Sequence, residues 1–168
     1  MRSLKKLILV LTVLSLSLAV LSIFSPIIAF IASQYNYEFI WLWGLRLNDD
    51  APIEYFTLND PIVIIGILSI TLLIVALVLI LLSLKSFSRF SKMHKVPINS
   101  ILNSIGGCIF VFTPYFFYYI TGSFYSSLFF IDYKFSIGFY LMLWAGGFAI
   151  TAGIFRVIRQ IFYKKQEP

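Results

Sequence analysis

The chain offers few residues whose types and spacing could support catalysis or metal binding. His94 is its only histidine, and Cys108 is its only cysteine. Neither has the neighbouring ligands or cationic groups that a metal site or an activated thiol requires, so Cys108 is expected to be a packing thiol and His94 a loop residue. Asp49 and Asp50 are adjacent, but their setting is typical of a turn, and Ca²⁺ needs more oxygen ligands. The sequence therefore predicts no catalytic residue, no metal site and no cofactor.

Proton relays and ion pathways in membrane proteins depend on ionisable side chains at membrane depth. The long apolar segments of this chain contain no Asp, Glu, Lys or His, and Arg156 belongs to the basic tail that ends the last segment. We therefore expect the protein not to be an enzyme, although a partner protein could supply an ionisable centre.

The composition is that of a membrane protein. Sixty per cent of the 168 residues are hydrophobic and 12% are charged, which is more apolar surface than one soluble core of this size could enclose. The net charge is +6, but the charges border apolar segments and do not form one patch. Anionic lipid headgroups are therefore the expected partners of the basic residues, and nucleic acid is not.

The elements that would position these residues are four membrane spans. Their predicted bounds are about residues 7–32, 61–84, 97–121 and 137–158. All but two of the 13 basic residues cluster before the first span, between the second and third, and at the end of the fourth. Lys and Arg are retained on the cytoplasmic side, so both termini are predicted to be cytoplasmic.

This topology makes residues 1–168 a single domain in the cell or cytoplasmic membrane. It places an inner loop at residues 85–96 and outer loops at residues 33–60 and 122–136. A secretory signal peptide is the alternative for the first span, but its apolar region would be about 7–15 residues long, and this one is longer. We expect a transmembrane helix bent near Pro26, because proline removes a helical hydrogen bond.

Small residues recur on one face of each predicted helix. In lipid, helices associate where small side chains allow their backbones to approach, although chance placement would give some of the pattern. In the first helix their spacing alternates between three and four residues, which indicates left-handed packing at a shallow angle. The residues expected to pack the helices are Ser15, Ala19, Ser22, Gly107, Ala145, Ala149 and Gly153. Trp144 is also expected to fill the bundle.

Two polar amides stand out in the third span. Asn99 and Asn103 lie one helical turn apart near its inner end. They can hydrogen-bond another helix, or they can face water at a cytoplasmic mouth. We favour helix packing, in which each such bond contributes about 0.6–2 kcal/mol.

Aromatic residues are concentrated towards the outer side of the predicted bundle. Trp41 and Trp43 lie in the first outer loop, and Tyr115, Tyr118 and Tyr119 are followed by Tyr125 in the second. They predict an interfacial belt combined with helix packing, or an aromatic pocket or surface for a lipid or a partner protein.

The first outer loop has strand-forming composition. An aromatic and apolar stretch at residues 35–47 is followed by a turn at residues 48–52 and a second stretch at residues 53–58. This order predicts a hairpin, with an interfacial helix as the alternative. Residues 127–136 can add a strand beside it, which would give a small extracytoplasmic cap of about three strands.

The run Trp41-Leu42-Trp43-Gly44-Leu45 resembles the Trp and Gly-Leu elements in the first outer loop of claudin-like tetraspans. The resemblance covers these five residues and the four-span architecture. The cysteine pair of that loop is absent here, and residues 33–60 are short for it. The resemblance implies a tetraspan architecture and does not imply a barrier or paracellular-pore function.

The sequence therefore predicts an all-α membrane protein, a four-transmembrane-helix bundle with a β-prone cap. Its expected function is that of a non-catalytic accessory subunit or self-associating tetraspan, with membrane lipids and other membrane proteins as partners. The alternative is a lipid or small-molecule carrier that uses an aromatic pocket in the outer leaflet. The candidate interaction or lipid surface comprises Trp41, Trp43, Tyr115, Tyr118, Tyr119, Tyr125, Asn99 and Asn103.

Overall fold

The protein is mostly helical. Its structure, a computed structural model, describes residues 2–33, 36–43, 45–48, 54–55, 61–84, 98–124 and 132–164. The long helices are α1 (Arg2–Ile23), α2 (Pro61–Leu84), α3 (Ile98–Phe124) and α4 (Ile137–Lys164). All four are long and apolar enough to cross a membrane. The molecule is therefore a membrane protein built as a helical bundle.

The predicted first span is wrong at its C-terminal end. Helix α1 ends at Ile23, and strand β1 (Ile28–Ser33) occupies most of the remainder. The amides of Phe24 and Ser25 bond to carbonyls three residues back, at 3.2 Å each, which tightens the last turn. Pro26 then offers no N–H to continue the helix, so it follows α1 and does not bend it.

Within the residues that the structure describes, five strands form one antiparallel sheet in the order β4-β3-β2-β1-β5. After β1 come β2 (Asn36–Ile40), β3 (Leu45–Asn48), β4 (Glu54–Tyr55) and β5 (Lys134–Phe135). The single predicted strand across residues 35–47 is wrong, because the chain leaves β2 at Trp41 and pairs back as β3. The described residues between 36 and 48 also exclude the alternative of an interfacial helix there.

The helices pack in the order α1, α4, α3, α2, and the contact between α1 and α2 is much smaller than the other three. One hydrophobic core joins the bundle to the sheet. It includes Phe110, Phe117, Phe139, Met142, Ile28 and Ile40, all fully or nearly fully buried. Large apolar side chains cover the outer faces of the helices, which suits contact with lipid chains better than contact with water.

The sheet lies at one end of the bundle, which we call the sheet end. There the amide of Gly138, in the first turn of α4, donates to the carbonyl oxygen of Pro26 at 2.9 Å. A Cβ on Gly138 would lie 2.7 Å from that oxygen, so only glycine allows this approach. Lys5, Lys6, Arg156 and Arg159 lie at the opposite end of α1 and α4, which we call the basic end.

Candidate functional site

A buried polar cluster lies near the basic end and receives a residue from every helix. We call it the Asn103 cluster; it comprises Thr12, Ser83, Ser100, Asn103 and Arg156. The amide nitrogen Nδ2 of Asn103 donates to Oγ1 of Thr12 at 3.4 Å, and its Oδ1 accepts a hydrogen bond from Oγ of Ser83. Asn103 is fully buried, so it links α1, α2 and α3 inside the bundle.

Arg156 ties α4 to the same cluster. Its Nη1 donates to the carbonyl oxygen of Ser83 at 2.8 Å and to that of Asn99 at 3.0 Å. Ser83 is the penultimate residue of α2, so its carbonyl has no donor within the helix. A cation at the C-terminal end of a helix also interacts favourably with the helix dipole. The hydroxyl of Ser100 donates to the carbonyl oxygen of Gly153, which adds a link between α3 and α4.

The seven residues expected to pack the helices are all buried. Ser15, Ala19 and Ser22 lie on the inner face of α1, and Gly107, Ala145, Ala149 and Gly153 lie where α3 and α4 meet. A Cβ on Gly107 would lie 2.8 Å from the carbonyl oxygen of Gly146, and one on Gly146 would lie 2.6 Å from that of Gly107. The backbones of α3 and α4 are therefore in direct contact at this pair.

The aromatic residues near the sheet end pack against one another. The rings of Phe135 and Phe139 stack with centroids 3.8 Å apart, and Tyr115 meets Phe139 edge-on at 4.8 Å. Tyr118 is buried, and its hydroxyl donates to the carbonyl oxygen of Tyr133 at 2.9 Å. Tyr119 is exposed on the outer face of α3, and Tyr125 lies outside the described residues.

Trp41 and Trp43 close the end of α1. Their indole nitrogens donate to the carbonyl oxygens of Phe24 and Ile23, at 3.1 Å and 2.9 Å. Terminal helix carbonyls lack intrahelical donors, so these bonds satisfy groups that would otherwise be left open near the membrane. Both side chains, predicted to form an interaction surface, thus have a structural role here.

A buried ion pair lies under the sheet and was not anticipated from the sequence. The carboxylate of Glu38 accepts a hydrogen bond from the hydroxyl of Tyr133, and its Oε1 lies 2.7 Å from Nε of Arg46. Glu38 alternates with Tyr37 and Phe39 along β2, so the period of two residues in a strand could have revealed an inward-facing charge. The pair joins β2, β3 and the residue preceding β5.

Two residues expected in the bundle interior face outwards. Trp144 is 62% exposed because Ala145 and Gly146 occupy the side of α4 that meets α3. Cys108 is exposed on α3 and is not a packing thiol. His94 and the Asp49–Asp50 pair lie outside the described residues.

A shallow notch lies on the outward face of α4. We call this face the α4 outer face; it comprises Trp144, Gly147, Phe148 and Thr151. A Cβ on Gly147 would meet nothing within 4 Å in the described part of the chain, in contrast to one on the neighbouring Gly146. The rings of Trp144 and Phe148 lie 5.9 Å apart, and the Thr151 hydroxyl donates to the carbonyl of its own helix at Gly147.

No group of three or more His, Cys, Asp or Glu side chains in the described part of the chain could hold a metal ion. No protein-family model matches the sequence, and no curated protein matches it. The fold defines a membrane protein with four candidate spanning helices.

Proposed function

We propose that the protein is a non-catalytic tetraspan that associates with a second copy of itself, or with a larger membrane complex as a small accessory subunit. The α4 outer face is the proposed contact. The observation that carries this proposal is the open space beside Gly147, which is next in sequence to a glycine that is fully engaged inside the bundle.

The two glycines differ in what they do for the chain itself. Gly146 is required for the contact between α3 and α4, because a Cβ there would lie 2.6 Å from the carbonyl oxygen of Gly107. Gly147 makes no comparable contact with another described helix. A glycine at this position lowers helix stability by about 1 kcal/mol relative to alanine. A glycine of this kind is useful where another helix approaches from outside, and Trp144 and Phe148 provide aromatic walls for that helix.

We infer that the basic end faces the cytoplasm and that the sheet is an extracytoplasmic cap. Lys5, Lys6, Arg156 and Arg159 all lie at the basic end, and retention of Lys and Arg in the cytoplasm supports this orientation. Asp50→Cys and Ser91→Cys, each made in a Cys108→Ser background, test it with an impermeant maleimide. Labelling of position 50 from outside intact cells and of position 91 only after lysis is expected; labelling of both from one side contradicts the orientation.

The carrier function receives less support from the geometry. Tyr118 and Phe139 are buried, and Tyr115 and Phe135 pack on their rings, so much of the aromatic surface that a ligand would need is already occupied by protein. Because these aromatic rings pack together, we expect the sheet end to be rigid. A partner would then contact the outer faces of the molecule.

Adjacent glycines provide a matched test of association. Gly147→Leu should reduce the association constant in lipid vesicles by about tenfold, as expected from a loss of about 1.4 kcal/mol, and should not lower the melting temperature of the monomer. Gly146→Leu should unfold the bundle at a lower temperature, because its side chain would collide with backbone atoms of α3. Association is measured by single-molecule photobleaching at increasing protein density.

Pull-down from native membranes with mass spectrometry separates the two forms of the proposal. A second copy as the principal partner indicates self-association, and a different membrane protein indicates an accessory subunit. In either case Gly147→Leu should reduce recovery of the partner. A wild-type protein that is strictly monomeric in several lipids and recovers no partner contradicts both forms.

A further inference from the structure

Arg156 is a half-buried cation without a carboxylate partner among the described residues. The acidic residues in those parts of the chain, Glu38, Glu54 and Asp132, belong to the sheet or its immediate surroundings. The basic end therefore has positive charges and no described negative charge to balance them. A partly desolvated charge is unfavourable unless something pairs with it, so a bound anion would stabilise this end.

The guanidinium of Arg156 is held in one orientation with one edge unoccupied. Its Nη1 is fixed between the carbonyl oxygens of Ser83 and Asn99. Its Nε and Nη2 have no hydrogen-bond partner within the described chain, and neither nitrogen is fully buried. These two nitrogens form the edge of a guanidinium that binds two oxygens of a phosphate at once.

Further cations at the basic end suit the same kind of ligand. Arg159 lies three residues beyond Arg156 on α4, and Lys5 and Lys6 are exposed on α1, which runs antiparallel to α4 at the same end. A ligand that carries a phosphate would satisfy these cations together.

We propose that the basic end binds the headgroup of an anionic phospholipid, with its phosphate on the Nε and Nη2 edge of Arg156. Arg159, Lys5 and Lys6 add electrostatic attraction. A lipid is the favoured source of the phosphate because Arg156 falls within the apolar segment Ile137–Phe162, where an aqueous anion is poorly solvated. Phosphatidylglycerol, whose headgroup carries a phosphate and a net negative charge, is the probe of choice.

The test uses the full chain in a neutral detergent, titrated separately with phosphatidylglycerol, phosphatidylcholine and inorganic phosphate. Binding is followed by native mass spectrometry, and the melting temperature is recorded in parallel. Phosphatidylglycerol should bind and raise the melting temperature, and phosphatidylcholine should do so at least about tenfold more weakly because charge-assisted hydrogen bonds carry the affinity. A similar response to inorganic phosphate alone would overturn the assignment to a lipid.

Arg156→Lys keeps the positive charge and removes the Nε and Nη2 pair that can bind two phosphate oxygens at once. It should weaken binding of phosphatidylglycerol by about tenfold. Lys134→Ala, which removes a charge at the sheet end, is the control and should bind as the wild type does. Equal affinity of the wild type and Arg156→Lys would overturn the proposal, as would an equal loss in Lys134→Ala.

A second variant keeps the test independent of the structural bonds that Arg156 makes. Lys5→Gln/Lys6→Gln changes only exposed side chains, so the fold should be retained. Its affinity for phosphatidylglycerol should fall by up to about thirtyfold and depend less steeply on salt, since each of the two cations contributes about 1 kcal/mol to anionic-lipid binding. An unchanged affinity and salt dependence in this variant would also overturn the proposed site.

Discussion

The indole nitrogen of Trp43 donates a hydrogen bond to the carbonyl oxygen of Ile23, the last residue of α1, at 2.9 Å. Trp41 makes the corresponding bond to Phe24 at 3.1 Å. The turn between β2 and β3 therefore caps the C-terminal end of α1. The sheet is joined to the bundle by polar bonds as well as by the shared hydrophobic core, so the two should unfold together.

Trp43→Phe tests how much the hydrogen bond from Trp43 to Ile23 contributes to stability. It removes the donor to Ile23 and keeps most of the ring, so the free energy of unfolding should fall by about 1 kcal/mol. Unfolding of the monomer in mixed micelles with increasing SDS provides the measurement. Trp144→Phe is the matched control, because Trp144 is 62% exposed and its indole makes no hydrogen bond in the described chain. Equal losses in both variants would contradict a specific role for the bond.

The sequence predicted the helices best where polar residues mark both ends. For α2, Asp60 and Pro61 indicate the start and Lys85 the end, and the observed bounds are residues 61 and 84. The first helix was overextended because residues 24–32 are as apolar as a membrane span. A strand buried between two neighbours and a membrane helix have the same hydropathy, so composition could not separate β1 from α1.

The candidate site was less accessible to sequence reasoning. Small residues identified the inner faces of the helices, because close backbone approach requires them. They could not show which glycine faces outwards, since Gly146 and Gly147 differ only by a rotation of about 100° about the helix axis. The pairing of Glu38 with Arg46 depends on the register of β2 and β3, and that register is set by a turn at residues that had been assigned to a strand.

The bond between Asn103 and Ser83 is predicted to couple α2 to α3. Asn103→Leu should lower the free energy of unfolding by about 1 kcal/mol, because each partner hydroxyl can still donate to a carbonyl oxygen of its own helix, Ile8 for Thr12 and Ile80 for Ser83. In a double-mutant cycle with Ser83→Ala, the coupling energy should be about 0.6 kcal/mol. A parallel cycle with Ser123→Ala, at the far end of α3, should give no coupling. A zero coupling energy for Asn103 and Ser83 would contradict the bond.

Removing Glu38 alone is predicted to destabilise the protein more than removing Glu38 and Arg46 together. Glu38→Leu removes the carboxylate that lies 2.7 Å from Nε of Arg46 and should lower the free energy of unfolding by about 2 kcal/mol. Adding Arg46→Leu should recover part of this loss, because the cation that faced the lost carboxylate is removed as well. Asp132→Leu, which changes an exposed acid near the sheet, should have little effect. The three variants are compared by the same SDS unfolding titration, and a double variant less stable than Glu38→Leu would contradict the ion pair.

The close approach of α3 and α4 is predicted to depend on Gly107. In Gly107→Ala the added Cβ would lie 2.8 Å from the carbonyl oxygen of Gly146 and 3.0 Å from the amide nitrogen of Ile150, so the helices must move apart. Overpacking of this kind lowers the free energy of unfolding by about 1–3 kcal/mol. Gly147→Ala is the control, because its Cβ would meet nothing within 4 Å and alanine favours the helix by up to about 1 kcal/mol. The two variants, measured as monomers in mixed micelles, should therefore shift stability in opposite directions. A shift of the same sign and size in both would mean that the helices do not approach each other through Gly107.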